Sequence, residues 1–169
     1  MAWFTRIALL SCLCLPAFAA GAAGLPSSCA DPAYKQFDYW LGDWNVSNTA
    51  GKLVGRDHVQ KIYGGCAIQE HWTSVDGGTG GSYSIYDSSR KLWHQTWVDS
   101  TGTLLVLEGN LKDGHMLLTG DETLPSGKHA LNRMSWTPTG GKLRQLWEVS
   151  QDGGKTWKIV FDVYYTKAD

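Results

Sequence analysis

The sequence predicts an all-β protein, an up-and-down antiparallel β-barrel of about ten strands. Turn signals rich in Gly and Asp recur about every dozen residues beyond position 50, a spacing typical of β-sandwiches and barrels. The segments between them are rich in Val, Ile, Thr, Trp and Tyr, residue types that favour strands. The connections are too short for helical crossovers, so we expect neighbouring strands to pair antiparallel.

A short aromatic segment, QFDYWLGDWNV at 36–46, precedes this strand pattern. Asp31 is a good N-cap, Pro32 suits the first helical position, and Gly42 suits the position after a helix end. The sequence therefore predicts a helix of about two turns, followed by Trp44 at the start of the first strand. A helix of this length is not stable alone, so we expect it to pack on the barrel and close one end.

Residues 1–22 are predicted to be a signal peptide, and 23–169 to be one lipocalin-like barrel domain. A positive residue precedes the apolar run 7–19, and small residues follow it, as in cleavable secretory signals. The run is short for a membrane span and contains Pro16, so no stable membrane insertion is expected. A lipid-modified cysteine is the weaker alternative, because no Cys has the full expected context. The sequence thus predicts a periplasmic or secreted protein.

Two cysteines, Cys29 and Cys66, remain once the predicted signal peptide is removed. In an exported protein, two remaining cysteines most simply form one disulfide. The whole chain has 15 Lys and Arg against 16 Asp and Glu, with no long run of like charge. This charge pattern gives no support to nucleic-acid binding.

Three candidate strands carry an acid or amide two residues before a Trp. The pairs are Glu70 with Trp72, Gln95 with Trp97, and Gln145 with Trp147. A period of two places both members of a pair on one face of a strand. The pairs fall on the predicted third, fifth and ninth strands, which run in the same direction. We therefore expect a polar layer beside a tryptophan layer inside the barrel.

Two interpretations of these layers compete. In one, tryptophan fills a solid core and the polar groups lie outside or satisfy one another. In the other, the layers line a cavity, since ligand pockets are largely apolar with a few placed polar groups. Under this second interpretation Trp93 extends the same face. The predicted ligand-binding residues are then Glu70, Trp72, Trp93, Gln95, Trp97, Gln145 and Trp147.

The leading functional hypothesis is a non-enzymatic barrel that binds a small apolar or amphipathic molecule. One alternative is an isomerase, lyase or hydrolase with Glu70 as general base, its pKa raised by tryptophan surroundings. Another is a structural or interaction domain with a filled core. A cavity that touches these side chains favours binding or catalysis, and a packed interior favours the structural role.

The sequence predicts no cofactor and no metal. His71 and His94 adjoin two of the pairs, but no third ligand has a metal-site spacing. No nucleophile elbow, P-loop or dinucleotide fingerprint is present. The segment SQDGGKTW at 150–157 resembles the Asp-box turn of sialidases and related propellers, yet the chain is too short for a propeller. We interpret it as a rigid turn between the last two strands.

Taken together, four motifs resemble the exported bacterial family catalogued as domain of unknown function 1579, described as lipocalin-like. They are QFDYWLGDWNV, CAIQEHW, WHQTWVD and RQLWEVSQDGGKTW. The resemblance covers nearly the whole predicted mature chain, and Gly42-x-Trp44 is similar to the motif that opens the first strand of lipocalins. The resemblance implies a calycin-type barrel outside the cytoplasm. It implies no activity or ligand, so no catalytic residue is carried over.

Overall fold

A computed structural model of the protein describes Met1 and residues 29–124 and 126–169. The predicted signal peptide, 1–22, lies outside the described residues except for Met1. Among the described residues, no helix has the length and apolar character needed to cross a membrane.

Ten antiparallel strands form a closed barrel in sequence order, and the first strand pairs with the last. This confirms the predicted fold class. The strands are β1 (Gly42–Asn48), β2 (Leu53–Ile62), β3 (Ala67–Ser74), β4 (Thr79–Asp87), β5 (Leu92–Asp99), β6 (Leu104–Lys112), β7 (His115–Thr123), β8 (His129–Thr139), β9 (Lys142–Ser150) and β10 (Lys158–Lys167).

The predicted N-terminal helix is present as two short 3₁₀ turns, Pro32–Lys35 and Asp38–Trp40. Asp31 caps the first turn, since its Oδ1 accepts a hydrogen bond from the Ala33 amide at 2.8 Å. Phe37 separates the two turns with a backbone φ of −109° and ψ of 11°. This break leaves each turn too short for α-helical hydrogen bonds to propagate. We call residues 32–40 the plug.

The plug inserts aromatic side chains into one end of the barrel. The Phe37 and Trp40 side chains have no exposed surface. The Phe37 ring centroid lies 5.7 Å from that of Trp93 on β5 and 5.1 Å from that of Trp136 on β8. The Tyr39 hydroxyl donates to the Trp136 carbonyl at 3.0 Å. The end of the barrel that holds the plug is therefore packed solid.

A disulfide joins Cys29 to Cys66, with the Cα atoms 5.1 Å apart. It ties the segment just before the plug to the residue that precedes β3. The predicted pairing is confirmed. Closing a loop with a sequence separation of 37 residues stabilises the fold by roughly 3–4 kcal/mol in the chain-entropy account.

The segment Ser150–Trp157 forms a rigid turn between β9 and β10, as its motif predicts. The Asp152 Oδ1 accepts hydrogen bonds from the Lys155 amide at 3.0 Å and the Thr156 amide at 2.9 Å. The Trp157 ring packs beneath the turn and carries the Arg133 guanidinium 4.1 Å above its centroid. These contacts explain the motif structurally, at a position on the outside of the barrel.

Replacing Trp44 with alanine should destabilise the protein by about 3–5 kcal/mol, as for other buried aromatic residues. Trp44 is 5% exposed, and its Nε1 donates to the Trp40 carbonyl at 2.8 Å, so it connects β1 to the plug. Chemical denaturation measures the loss. Tyr63→Ala, at a position that is 75% exposed, is the control. An unchanged midpoint for Trp44→Ala would contradict this description of the plug.

Candidate functional site

Inward-facing side chains of β3, β5 and β9 form three levels along the barrel axis. The level nearest the plug is apolar, the next is polar, and the third is made of tryptophan. In that order the levels contain Ile68, Trp93 and Leu143; Glu70, Gln95 and Gln145; and Trp72, Trp97 and Trp147. The polar level is buried, with exposures of 2–6%, whereas the tryptophans of the third level are partly exposed.

The residues that alternate with the polar level point outward. His94 faces Glu108, with Nδ1 2.9 Å from Oε1. Arg144 forms a two-point ion pair with Asp162, with N···O distances of 2.8 and 2.7 Å. The strand parity expected from the sequence therefore matches the direction of these side chains.

A cavity of about 190 Å³ lies between the polar and tryptophan levels. It is lined by six of the seven predicted residues: Glu70, Trp72, Gln95, Trp97, Gln145 and Trp147. Five further residues, outside the predicted ligand-binding set, complete the wall: Asp99, Met134, Trp136, Phe161 and Tyr165. The interior is thus hollow at this depth and packed beneath it.

Trp93 is the predicted residue that the structure does not bring to the cavity. It lies one level deeper, 1% exposed, against Phe37 of the plug. Its Nε1 donates to the Gln36 Oε1 at 3.1 Å. The sequence gives the face on which Trp93 lies but not its depth, because depth depends on how far the plug enters the barrel.

Two glycines allow the tryptophan rings to lie against the barrel wall. A Cβ atom on Gly80 would come within 2.4 Å of the Trp97 ring, and one on Gly55 within 2.3 Å of the Trp72 ring. Both distances are too short for any side chain at these positions. Any larger residue there would push the ring into the cavity or out of the barrel.

The tryptophan edges are held by polar partners. The Trp147 Nε1 donates to the Asn132 Oδ1 at 2.8 Å, and the Trp97 Nε1 approaches the Asp99 Oδ2 at 3.4 Å. Trp72 meets Phe161 edge to face, with ring centroids 5.9 Å apart. The indole N–H groups of Trp97 and Trp147 are thus occupied, and all three rings line the cavity.

Hydrogen bonds connect the polar level on one side of the barrel. The Ser82 hydroxyl donates to the Glu70 Oε2 at 2.5 Å. The Gln95 Nε2 donates to the Ser82 Oγ at 3.3 Å and to the Ser84 Oγ at 3.0 Å. On the opposite side, the Tyr165 hydroxyl donates to the Gln145 Oε1. These bonds hold both amides in fixed orientations.

Asp57 on β2 is an interior acid that sequence reasoning missed. It is 3% exposed and adjoins Glu70 closely enough for the two carboxyl groups to interact through a hydrogen bond. Among the described residues, no donor reaches either Asp57 oxygen in good hydrogen-bond geometry. Parity could have found this residue, because it lies two positions before the buried Val59.

Burial raises the pKa of both acids. The pKa of Asp57 lies well above its ordinary value because of burial and of the negative charge on Glu70; the nearby His58 amide and Tyr165 hydroxyl offset part of this shift. Burial raises the pKa of Glu70 to about 7, despite the hydrogen bond from Ser82. Two carboxyl groups in contact cannot both ionise readily, so the pair retains a proton near neutral pH.

Among the described residues that line the cavity, the ionisable groups are all acidic: the Glu70 and Asp99 carboxyl groups and the Tyr165 phenol. Of the described residues that line it, none is Lys, Arg or His. The described part of the chain also contains no cluster of three His, Cys, Asp or Glu side chains arranged to hold a metal ion. The cavity can enclose a small molecule. Its aromatic rings can stack against that molecule, and its carboxyl groups can accept hydrogen bonds from it or attract a positive charge on it.

Glu70→Gln should remove a pH dependence from the stability of the protein. A carboxyl whose folded pKa exceeds its unfolded value stabilises the fold below pH 4, and this contribution is lost as pH rises towards 7. Relative to Glu70→Gln, the wild type should lose on the order of 2–3 kcal/mol between pH 4 and 8, at 1.4 kcal/mol per pKa unit.

Urea denaturation of both proteins at several pH values measures this difference. The acids whose pKa values are lowered, including Asp99 and Asp152, titrate below this window and are common to both proteins. Parallel stability profiles for wild type and variant would show that Glu70 ionises as a solvated carboxylate.

No protein-family model matches the chain, and no curated protein is similar to it.

Proposed function

We propose that the barrel binds a small apolar or amphipathic molecule in this cavity. The observation that carries the proposal is the pairing of a hollow tryptophan level with a buried polar level directly beneath it. Aromatic faces supply contact area with little loss of side-chain entropy. Polar groups that are already oriented supply direction and specificity.

The size of the cavity limits the ligand. A dry apolar cavity of about 150 Å³ holds one benzene molecule, and this cavity measures about 190 Å³. The space therefore suits a single substituted ring or a compact branched group. A long acyl chain would have only its end enclosed.

The polar level would recognise the head group of such a ligand. Gln95 and Gln145 both line the cavity, and each is held by hydrogen bonds to residues of neighbouring strands. Glu70 lies at the same level and keeps one oxygen, Oε2, engaged by Ser82. A ligand that inserts its polar end between these groups replaces the water that would otherwise solvate them.

An enzyme is the second candidate, favoured by the carboxyl pair. Glu70 lines the cavity with a pKa of about 7, which suits a general base near neutral pH. Catalysis would require, in addition, an acid that reaches the same substrate. The Tyr165 hydroxyl is on the wall but already donates to Gln145, so binding is the function that the geometry supports more directly. The cavity itself argues against a purely structural, filled core.

We further propose that the protein acts in the periplasm or outside the cell, as a member of the family that its motifs resemble. The Cys29–Cys66 disulfide supports this location, because disulfides persist in oxidising compartments. The predicted signal peptide points the same way. Detection of the mature chain in a periplasmic extract, beginning after residue 22, tests the location.

Titration with benzyl alcohol and with toluene tests the binding function. Both compounds should quench tryptophan emission saturably, because four tryptophans border the cavity. Gln95→Leu should weaken the binding of benzyl alcohol by about 1–3 kcal/mol, because the buried hydroxyl of the ligand would lose its hydrogen-bond partner. The same substitution should leave toluene binding nearly unchanged.

Gln69→Leu is the matched control, since Gln69 lies on the outer face of β3, where its amide donates to the Tyr83 hydroxyl. It should alter neither affinity. Absence of saturable binding for both compounds would contradict the proposed function. Equal weakening by the inner and outer substitutions would remove Gln95 from the site.

A further inference from the structure

The cavity combines tryptophan faces with carboxyl groups that have no cationic partner. We infer that its ligand is a small organic ammonium ion, held against Trp72, Trp97 and Trp147 and above the carboxyl pair of Glu70 and Asp57. This inference rests on the proposed binding function and specifies the charge and chemical class of the ligand.

The first support is the missing positive charge. Arg133 and Arg144, on β8 and β9 beside the cavity, point outward and form two-point ion pairs with Glu148 and Asp162. The Lys167 ammonium binds the Leu41 carbonyl near the plug. These cations are therefore engaged away from the interior acids.

The second support is the state of the Asp57 side chain. It is 3% exposed, and neither of its oxygens has a hydrogen-bond donor in good geometry among the described residues. Burial of a charge without compensation is costly, and an opposite charge nearby offsets that cost. An ammonium ion in the cavity would place positive charge against Glu70, which lines the cavity and interacts electrostatically with Asp57.

The third support is the aromatic wall. Cations bind the faces of aromatic rings, and tryptophan is the strongest of these partners. The edges of Trp97 and Trp147 are held by Asp99 and Asn132, so the faces are the surfaces left for a ligand. A quaternary ammonium donates no conventional hydrogen bond and is therefore matched by ring faces and negative charge alone.

Cation binding should be coupled to release of the proton that the carboxyl pair holds. The groups around the pair are Tyr165 on β10, Ser82 on β4 and Gln95 on β5, together with the two residues in register with Asp57, Trp44 on β1 and Trp72 on β3. None of these five is basic, and Asp99 at the cavity mouth adds a further negative charge. Affinity for a permanent cation should therefore rise with pH, by at most about tenfold per pH unit for one released proton.

Calorimetric titration with choline and with 3,3-dimethyl-1-butanol, its uncharged carbon analogue, tests the inference. At pH 8 the wild type should bind choline at least about tenfold more tightly than the analogue. At pH 5.5 this ratio should fall, because the proton competes with the cation.

Glu70→Gln should lower the ratio and weaken its pH dependence, because it removes the carboxyl group of the pair that lines the cavity. Glu148→Gln, which changes a carboxylate on the outer face of β9, is the matched control and should leave the ratio unchanged. If Glu70→Gln does not fold, the wild-type ratio and its pH dependence decide the question on their own.

The possible outcomes separate the inference from the proposed function. Equal or tighter binding of the uncharged analogue, or failure of choline to bind a protein that binds benzyl alcohol, would overturn the cation inference and leave small-molecule binding intact. If none of the four compounds binds, that is, choline, its analogue, benzyl alcohol and toluene, both the cation inference and the proposed binding function are overturned.

Discussion

Asp57 and Glu70 place two carboxyl groups in contact inside the barrel, where little water reaches them. The rest of the interior is arranged around this constraint. Serine and glutamine side chains on β4 and β5 form hydrogen bonds that reach Glu70, and Tyr165 closes the opposite side. Hydrogen bonds to a carboxylate favour its charged form, yet here burial outweighs them and both pKa values remain raised. The pair is therefore a feature that costs stability, and such features concentrate at functional sites.

The plug fills one end of the barrel, and the cavity therefore lies at the other end. Phe37 and Trp40 fill the end of the barrel beneath the polar level, and Trp93 and Trp136 pack against them. In the part of the chain that the structure describes, no comparable segment inserts beside the tryptophans at the other end, and Gly55 and Gly80 let two of the rings lie against the wall. The same barrel thus has a solid aromatic core at one end and an aromatic-lined hollow at the other. The carboxyl pair and the two amides lie at the boundary between them.

Much of this arrangement follows from local rules of sequence. The regular turn signals predicted the number of strands and their up-and-down order. The alternation of side chains along a strand predicted that Gln95 and Gln145 point into the barrel. The predicted signal peptide and the number of cysteines that remain after it predicted the disulfide. Depth along the barrel axis did not follow, so Trp93 was expected at the cavity. Asp57 was missed because its importance arises from contact with Glu70 and Tyr165, which lie on two other strands, and a polar residue within a strand is ordinarily expected to face solvent.

The most direct test of this account is an NMR titration that follows the side-chain carboxyl carbons of Asp57 and Glu70, with Glu70→Gln used for assignment. The account predicts that the two signals shift together, with at least one transition near or above pH 7, because one proton is shared by a buried pair. Independent transitions near pH 4 for both residues, the value of solvated carboxyl groups, would contradict it.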